Sequence, residues 1–178
     1  MSNLYKARGK ADQNFMQGGY KNVVLWAPID TFTNVAHPTV FTLAGEKLTI
    51  TDDHTFGVDD GFISWLCKLH SVTIKTETTG DPGAQSLVHT CEFILLGDDA
   101  STLDQLRDLL NDNCMFLVKD QDCLTANQYV QLGDDCLAPE INVSFDGKTT
   151  KEGLKEYTVK LSVKDKRFYY EGTVTEKP

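Results

Sequence analysis

The chain has 178 residues, of which 40% are hydrophobic and 10% aromatic, and 26 acidic against 17 basic residues give it a formal net charge of −9. This length and composition indicate one globular domain whose core is large enough to need no cross-links. The acidic balance argues against binding along a phosphate backbone, which depends on clustered lysine and arginine. No stretch approaches the roughly 20 apolar residues of a membrane-spanning helix, so we expect no membrane partner.

The first residues form a polar extension. Residues 1–22 include Gly18 and Gly19 and lack the apolar stretch of a secretory signal. We therefore predict a flexible N-terminal arm at residues 1–22, a single β-rich domain at residues 23–178, and folding in a cytosol. The cysteines are odd in number and irregularly spaced, so we expect reduced, mostly buried thiols without disulfides at Cys67, Cys91, Cys114, Cys123 and Cys136.

The first half of the domain shows short apolar runs between turn-forming residues. A first strand is predicted at residues 23–26, and residues 40–43 and 47–50 flank Gly45 as in a β-hairpin. Residues 62–69 are ambiguous, because their apolar residues have helical spacing although the segment that follows alternates like a strand.

A second hairpin is predicted from two longer alternating runs. Residues 71–78 and 87–96 each place polar and apolar side chains in alternation, which is typical of strands with one buried and one wet face. The tetrapeptide Gly80-Asp81-Pro82-Gly83 between them has the composition of a tight turn. We therefore expect an antiparallel pair.

One helix is predicted at residues 102–111. Ser101 suits the N-cap, and Asp104 three residues later suits the first turn. An apolar stripe at helical spacing should pack on the sheet, and it consists of Leu103, Leu106, Leu109 and Leu110.

The remaining chain alternates again. Strands are predicted at residues 115–118 and 129–132, and the last forty residues contain further alternating runs around Asp146-Gly147 and after Lys164. The fold class is therefore mainly β, a β-sandwich or barrel of about nine strands with one flanking α-helix at about residues 102–111.

Two cysteine–histidine pairs have spacings that occur in zinc sites, namely Cys67 with His70 and His89 with Cys91. Neither has a second pair beside it, so a shared site would require the two pairs to meet in space. We favour core cysteines with partly buried histidines. Trp26 and Trp65 could form a sugar-stacking platform, although core or interface packing is the favoured interpretation.

The acidic segment 51–61 could gather oxygen ligands around a cation. Its spacing does not match an EF-hand loop, so we favour a solvated loop, and whether residues 52–60 bind a cation stays open. Its acidic residues are Asp52, Asp53, Asp59 and Asp60.

No pattern in the sequence predicts catalysis. Gly147-Lys148-Thr149 lacks the upstream glycine of a phosphate-binding loop, and a cysteine nucleophile would need a histidine and a carboxylate beside it in space. We predict that the protein is not an enzyme and has no catalytic, cofactor-binding or metal-binding residues. A small cysteine- or metal-dependent enzyme ranks last among the alternatives.

Several short motifs of strand and turn residues occur together in this chain, namely His54-Thr55-Phe56, Gly61-Phe62, the run from Lys75 to Ala84, Val130-Gln131-Leu132-Gly133, Asp146-Gly147-Lys148, Tyr157 and Phe168-Tyr169-Tyr170-Glu171-Gly172. Through these motifs, over roughly residues 52–174, the chain resembles structural proteins of phages and prophages of Bacteroidetes-type hosts. The order of its elements is also similar to the tail-tube fold of long-tailed phages, a β-barrel or pair of packed sheets with one flanking helix that forms stacked rings.

The resemblance implies a virion structural protein, a tail-tube or tail/neck ring subunit, which assembles with itself in the host cytoplasm and contacts other tail or neck proteins. It implies no cofactor and no sequence-specific nucleic acid, although DNA could pass through an acidic lumen. Edge strands would pair between subunits, and residues 1–22 and 51–61 would become ordered in the assembly. The predicted subunit interface contains Phe56, Gly57, Phe62 and Trp65.

A different class of function stays open from the residues alone. The same β-rich domain could be a sandwich module that binds a carbohydrate or a protein ligand.

Overall fold

The computed structural model describes residues 19–40, 42, 45–121, 128–149 and 153–178. These residues form several sheets and one α-helix, which confirms a mainly β fold consistent with a sandwich or barrel and one flanking helix. No helix in these ranges is long and apolar enough to cross a membrane.

Twelve strands are present in the described ranges, three more than the sequence predicted. They are β1 (Tyr20–Pro28), β2 (Phe32–Asn34), β3 (Thr49–Ile50), β4 (Thr55–Phe56), β5 (Ile63–Leu66), β6 (Thr73–Thr79), β7 (Ser86–Leu96), β8 (Cys114–Asp120), β9 (Tyr129–Leu132), β10 (Glu140–Asp146), β11 (Glu156–Lys164) and β12 (Arg167–Tyr170), and the helix is α1 (Ala100–Asn111).

Six strands form one sheet in the order β3-β12-β9-β8-β1-β5. All neighbours are antiparallel except β3 and β12, which run parallel. The central strand β8 is buried at every residue from Cys114 to Val118. A continuous apolar run of this kind fits a strand that is covered on both faces.

Four strands form a second antiparallel sheet in the order β10-β11-β7-β6. Its β6–β7 hairpin confirms the predicted pair, and the N–H of Ala84 donates to the carbonyl of Asp81 in the turn, at 2.9 Å. Along β11 the residues Tyr157, Val159 and Leu161 are buried and face the first sheet. The core between the two sheets also holds Trp26, Trp65, Phe93, Phe116, Leu106 and Leu109.

A second apolar cluster covers the other face of the six-stranded sheet. Phe62 and Ala36 come from the chain between β1 and β5 and pack on the sheet residues Leu25, Ala27, Ile50, Met115, Leu117, Phe168 and Tyr170. The short β2–β4 pair belongs to this covering layer. The six-stranded sheet is therefore the middle of three layers.

The helix packs two of its four leucines. Leu106 and Leu109 are buried in the core between the sheets, whereas Leu103 and Leu110 are 40% and 50% exposed. Only half of the predicted leucine stripe is therefore buried, because a narrow strip of the helix surface contacts the core. The N-cap is Asp99 and not the predicted Ser101, since the Asp99 carboxylate accepts from the N–H of Thr102 at 2.9 Å.

Three predicted boundaries differ from the structure. The first strand begins at Tyr20, so residues 20–22 belong to the sheet, while residues 1–18 of the predicted arm lie outside the described residues. Residues 62–69 contain the strand β5 rather than a helix, because β5 pairs with β1. The predicted hairpin at Gly45 is wrong: Glu46–Leu48 is a 3-10 turn, and β3 pairs with β12. Residues 41, 43 and 44 of that hairpin lie outside the described residues.

Candidate functional site

The two outer strands of the four-stranded sheet each pair on one side only within the described chain. Both β6 and β10 are seven residues long, keep an unbroken register with the inner strand, and contain no proline. Strand edges of this kind present a row of backbone N–H and C=O groups that can pair with another chain. Only Lys75 on β6 provides the lysine that often protects such an edge.

The face of this sheet that points away from the core is polar. Alternation along the strands sends every second residue outward, so threonine, serine, lysine and glutamate dominate this side. Five carboxylates and three lysines lie on it, namely Glu77, Glu92, Glu140, Asp146 and Glu156 with Lys75, Lys160 and Lys164. The strand residues of this face therefore include five carboxylates and three lysines, and it is polar.

Two of these carboxylates, Glu156 and Asp146, belong to one network of ion pairs. Glu156 accepts from the ammonium of Lys68 at 2.9 Å and lies 3.2 Å from that of Lys148. The hydrogen bonds from Lys68 and Lys148 lower the pKa of Glu156. Lys148 also contacts Asp146 at 2.8 Å. This network fixes the start of β11 against its flanking turns rather than preparing an acid for catalysis.

The predicted subunit interface is divided between core and surface. Phe62 is fully buried and Trp65 is 8% exposed, so both belong to the core of the subunit and present no apolar surface to a neighbour. Trp65 packs 5.1 Å from Trp26, centroid to centroid, and its indole N–H donates to Gln105 Oε1 at 2.8 Å. This burial corrects the expectation that Phe62 and Trp65 contact a neighbouring subunit, and of the two favoured alternatives for the tryptophans, core or interface packing, both Trp26 and Trp65 adopt core packing.

Phe56 and Gly57 keep partial exposure. The Phe56 ring lies 4.3 Å from that of Phe32 and 5.1 Å from that of Phe62, centroid to centroid. The N–H of Gly57 donates to the carbonyl of Thr31 at 3.1 Å. Their role in subunit contact stays a prediction, although Phe56 already has partners inside the subunit.

His54 fixes the acidic segment to the sheet. Its Nδ1 accepts from the N–H of Ala36 at 3.0 Å, so the ring proton is on Nε2, which donates to Gln131 Oε1 at 2.9 Å. The imidazole stacks on the Tyr170 ring with centroids 4.5 Å apart. Burial lowers the pKa of His54 and so favours the neutral ring. No local pattern around His54 predicts this contact, because Gln131 and Tyr170 are distant along the chain.

The four acids of this segment do not converge on a cation. Asp53 accepts from the N–H of Thr173 at 2.6 Å, and Asp60 lies 3.6 Å from the Lys177 ammonium. Asp52 and Asp59 are exposed. Among the described residues, the group that brings three possible metal ligands together is elsewhere, at His37, Asp134 and Asp135.

That group is organised as a loop anchor. The buried Asp134 carboxylate accepts from the N–H groups of Cys136 at 3.1 Å and Leu137 at 2.8 Å, and its other oxygen pairs with the Lys166 ammonium at 2.5 Å. His37 Nε2 lies 3.1 Å from Asp135 Oδ1. A lysine already neutralises the buried carboxylate, so this arrangement explains the loop without a metal ion.

The two cysteine–histidine pairs do not form a zinc site in the described chain. Cys67 and Cys91 are core residues, and burial raises the pKa of each thiol to about 12, whereas zinc binds thiolate. His70 is exposed, and His89 Nδ1 lies 2.9 Å from the hydroxyl of Thr76. Cys67, Cys91, Cys114 and Cys136 are free thiols, and Cys123 lies outside the described residues.

Comparison with models of known families, with curated proteins and with solved structures finds no significant match for this chain.

Proposed function

We propose that the protein is a non-enzymatic structural subunit that assembles with copies of itself and, following its resemblance, that it is a tail-tube or tail/neck ring subunit of a phage virion. The observation that carries the proposal is that β6 and β10, the two outer strands of one sheet, each pair with another strand on one side only within the described chain, although β10 also contacts α1. When β6 of one copy pairs with β10 of the next, every addition leaves a new edge open. Such a head-to-tail contact closes into a ring if the rotation between copies divides a full turn.

The polar face of the same sheet suits the inside of such a ring. Its strands carry five carboxylates and three lysines, and Lys68 and Lys148 from the flanking segments pair with two of these carboxylates. The chain as a whole has a net charge of −9, which repels a phosphate backbone, so DNA would pass without sequence-specific contacts. In this proposal the subunit assembles in the host cytoplasm, resides in the virion tail and contacts other tail or neck proteins.

Paired proline substitutions in β6 test the edge contact. Along a strand, successive N–H groups point to opposite sides, so only one of Glu77→Pro and Thr78→Pro removes an outward N–H. That variant should keep the unfolding temperature of the wild type and lose assembly, measured by size-exclusion chromatography with light scattering and by electron microscopy of stained particles. The other variant should unfold at lower temperature, because it loses a bond to β7.

Glu77→Ala is the matched control and should assemble like the wild type. A wild-type protein that stays monomeric at all concentrations would contradict the proposal. So would unchanged assembly in the proline variant that folds normally. A stable monomer whose elution changes on adding a protein or carbohydrate ligand would instead favour the binding module.

A further inference from the structure

A cleft of about 740 Å³ lies where α1 ends and where β1 runs into the loop after Pro28. The end of the helix, residues 29–30 and the loop 135–141 form its walls. Leu110 and Leu137 line it and are 50% and 43% exposed. These two leucines offer apolar area inside a concave surface, which a bound segment could cover.

The cleft is strongly acidic. Its lining contains four carboxylates and neither lysine nor arginine, the carboxylates being those of Asp30, Asp112, Asp135 and Glu140. The C-terminus of α1 adds the negative end of the helix dipole, and no basic residue lies in the last turn of the helix to offset it. A cationic segment would therefore gain energy at this position.

Neighbouring thiols are influenced by the same negative charge. Burial raises the pKa of Cys114 to about 12, and the carboxylates of Asp112 and Asp30 act in the same direction. Asp135 and Asp134 raise the pKa of the exposed Cys136. The carboxylates of the lining thus act on both thiols, and the basic groups His37, beside Asp135, and Lys166, beside Asp134, lie outside the lining.

The walls are already formed in the single subunit. The Asp134 carboxylate fixes the loop through the N–H groups of Cys136 and Leu137, and the N–H of Ile29 donates to the carbonyl of Asn113 at 2.8 Å. Gly133 has φ +86°, and a Cβ there would lie 2.6 Å from Pro139 Cδ. A fixed cleft binds a partner at low conformational cost.

The sequence of residues 1–18 is complementary to this cleft. It contains three basic residues against one acidic, a balance of +2, while the rest of the chain has 14 basic against 25 acidic, a balance of −11. The basic residues are Lys6, Arg8 and Lys10, and apolar residues stand on both sides of them at Leu4, Tyr5, Phe15 and Met16.

We propose that the acidic cleft receives residues 1–18 of a second copy of the chain. This contact rests on the self-assembly proposed above and adds a second joint to it. Lys6, Arg8 and Lys10 would pair with the cleft carboxylates, and apolar residues of the segment would cover Leu110 and Leu137. Rim charges of this kind favour rapid and specific association.

The position of the segment favours a second copy over its own chain. Residues 1–18 join the fold before Tyr20, whereas the cleft lies beyond Pro28, at the opposite end of β1. Nine strand residues span roughly 30 Å, so the segment would have to run back along the sheet to reach its own cleft. Donor and acceptor at opposite ends match a head-to-tail contact.

Cross-linking to Cys136, an exposed thiol of the cleft, tests the proposal in the full chain. In a Cys123→Ser background, Ala7→Cys or Ala11→Cys places a thiol within the basic segment. A short bismaleimide should then link this thiol to Cys136 of another molecule, giving a dimer on denaturing gels. The background protein without the new thiol, and the same variants with Cys136→Ser, should give at least tenfold less dimer.

Charge reversal provides the matched control. Asp30→Lys with Asp112→Lys in one protein, and Lys6→Glu, Arg8→Glu and Lys10→Glu in another, should each abolish the cross-link. Mixing the two proteins should restore it, since each then meets a complementary partner. Asp81→Lys, in the exposed β6–β7 turn, should change nothing.

Absence of the dimer for both thiol positions, or a link formed within one molecule, would overturn this proposal. If the link forms while the β6 proline variants assemble normally, the segment contact stands and the edge pairing is wrong. If those variants block assembly and no link forms, edge pairing stands without the segment. Failure of the two proposals is therefore distinguishable.

Discussion

His54 shows how one residue connects distant parts of the chain. It joins the segment before β4 to Gln131 on β9 and to the Tyr170 ring on β12, and the N–H of Ala36 saturates its second nitrogen. Protonation would turn Nδ1 into a donor that faces another donor. The arrangement therefore tolerates only the neutral imidazole.

Stability should fall as the pH drops below the ordinary histidine value. The pKa of His54 is lowered in the fold, so the unfolded chain binds a proton first, and the stabilisation is complete above about pH 6.5 and decreases below it. Urea midpoints measured from about pH 8 to pH 5 should decrease less in His54→Gln than in the wild type. His70→Gln changes an exposed histidine, so its urea midpoint should change with pH as in the wild type. An equal change of the midpoint with pH in all three proteins would contradict the proposed effect of His54 protonation on stability.

The cysteine thiols should differ in their reactivity toward alkylating reagents according to their burial. Burial raises the pKa of Cys67, Cys91 and Cys114 to about 12, so these side chains should resist alkylation in the native protein. Cys136 is exposed and should be modified first, although nearby carboxylates raise its pKa. Mass spectrometry of peptides after brief treatment with iodoacetamide measures this order. Rapid modification of the three core thiols in folded protein would contradict the packing described above.

At the scale of the element, α1 is held by a narrow contact and one cap. Leu106 and Leu109 enter the core between the sheets, and Trp65 donates to Gln105 from the strand β5. The helix therefore contributes two side chains to the core shared by the two sheets, and it also contacts β10.

Leu106→Ala should lower the free energy of unfolding by about 2–5 kcal/mol, because it leaves a cavity in the core. Leu103→Ala is the matched control: its side chain is 40% exposed, so the loss should be well under half as large. Denaturant titrations of both variants measure the difference. Equal losses would mean that the leucine stripe is buried differently.

The cap gives a second contrast on the same helix. Asp99→Ala removes the acceptor of the Thr102 N–H and should cost about 0.5–2 kcal/mol. Ser101→Ala should be close to neutral, since Ser101 is exposed and does not occupy the cap. Thermal unfolding followed by circular dichroism measures the stability of both variants. A larger loss of stability in Ser101→Ala than in Asp99→Ala would support Ser101 as the N-cap, as the sequence predicts.

At the scale of the whole molecule, the six-stranded sheet couples two apolar clusters. Trp26 and Trp65 lie in the cluster shared with the four-stranded sheet, and Phe62 lies in the cluster on the opposite face. Strands β1 and β8 contribute alternate residues to both. The molecule should therefore unfold in one transition.

Phe62→Ala tests this coupling and should cost about 3–5 kcal/mol. The loss should appear equally in tryptophan fluorescence, which reports on the other cluster, and in circular dichroism. Phe145→Ala, at a ring that is 49% exposed, should cost much less. An unchanged fluorescence midpoint in Phe62→Ala would show that the two clusters unfold separately.

The structure also limits how the predicted roles of residues 1–22 and Phe56 in subunit contact can be tested. Removing residues 1–22 would delete the first three residues of β1, so a test of the N-terminal segment has to stop at residue 18. Phe56→Ser would disturb the contacts of Phe56 with Phe32 and Phe62 and so affect folding as well as any subunit contact. Residues 51–61 are expected to become ordered only in the assembly. The buried side chain of His54 conflicts with this expectation, because it already holds the segment inside the single subunit.

Several elements were determined by the sequence itself. The β6–β7 hairpin, the alternating strand β11 and the helix follow from patterns within a few neighbouring residues: period-two alternation, a Gly- and Pro-containing turn, and leucines at helical spacing. The mainly β class follows from the same patterns. These features depend on backbone geometry that each segment carries with it.

Tertiary structure decided which faces are covered and which surfaces remain. The sequence predicts Phe62 at a subunit interface, whereas in the structure its side chain is buried within the subunit. The residues of β3 are predicted to form a hairpin around Gly45, but β3 pairs with β12 instead. The acidic cleft exists only because residues 29–30, 110–113 and 135–141 meet. The physical reason is that burial and electric field depend on every group within several ångströms, and most of those groups are distant in the chain.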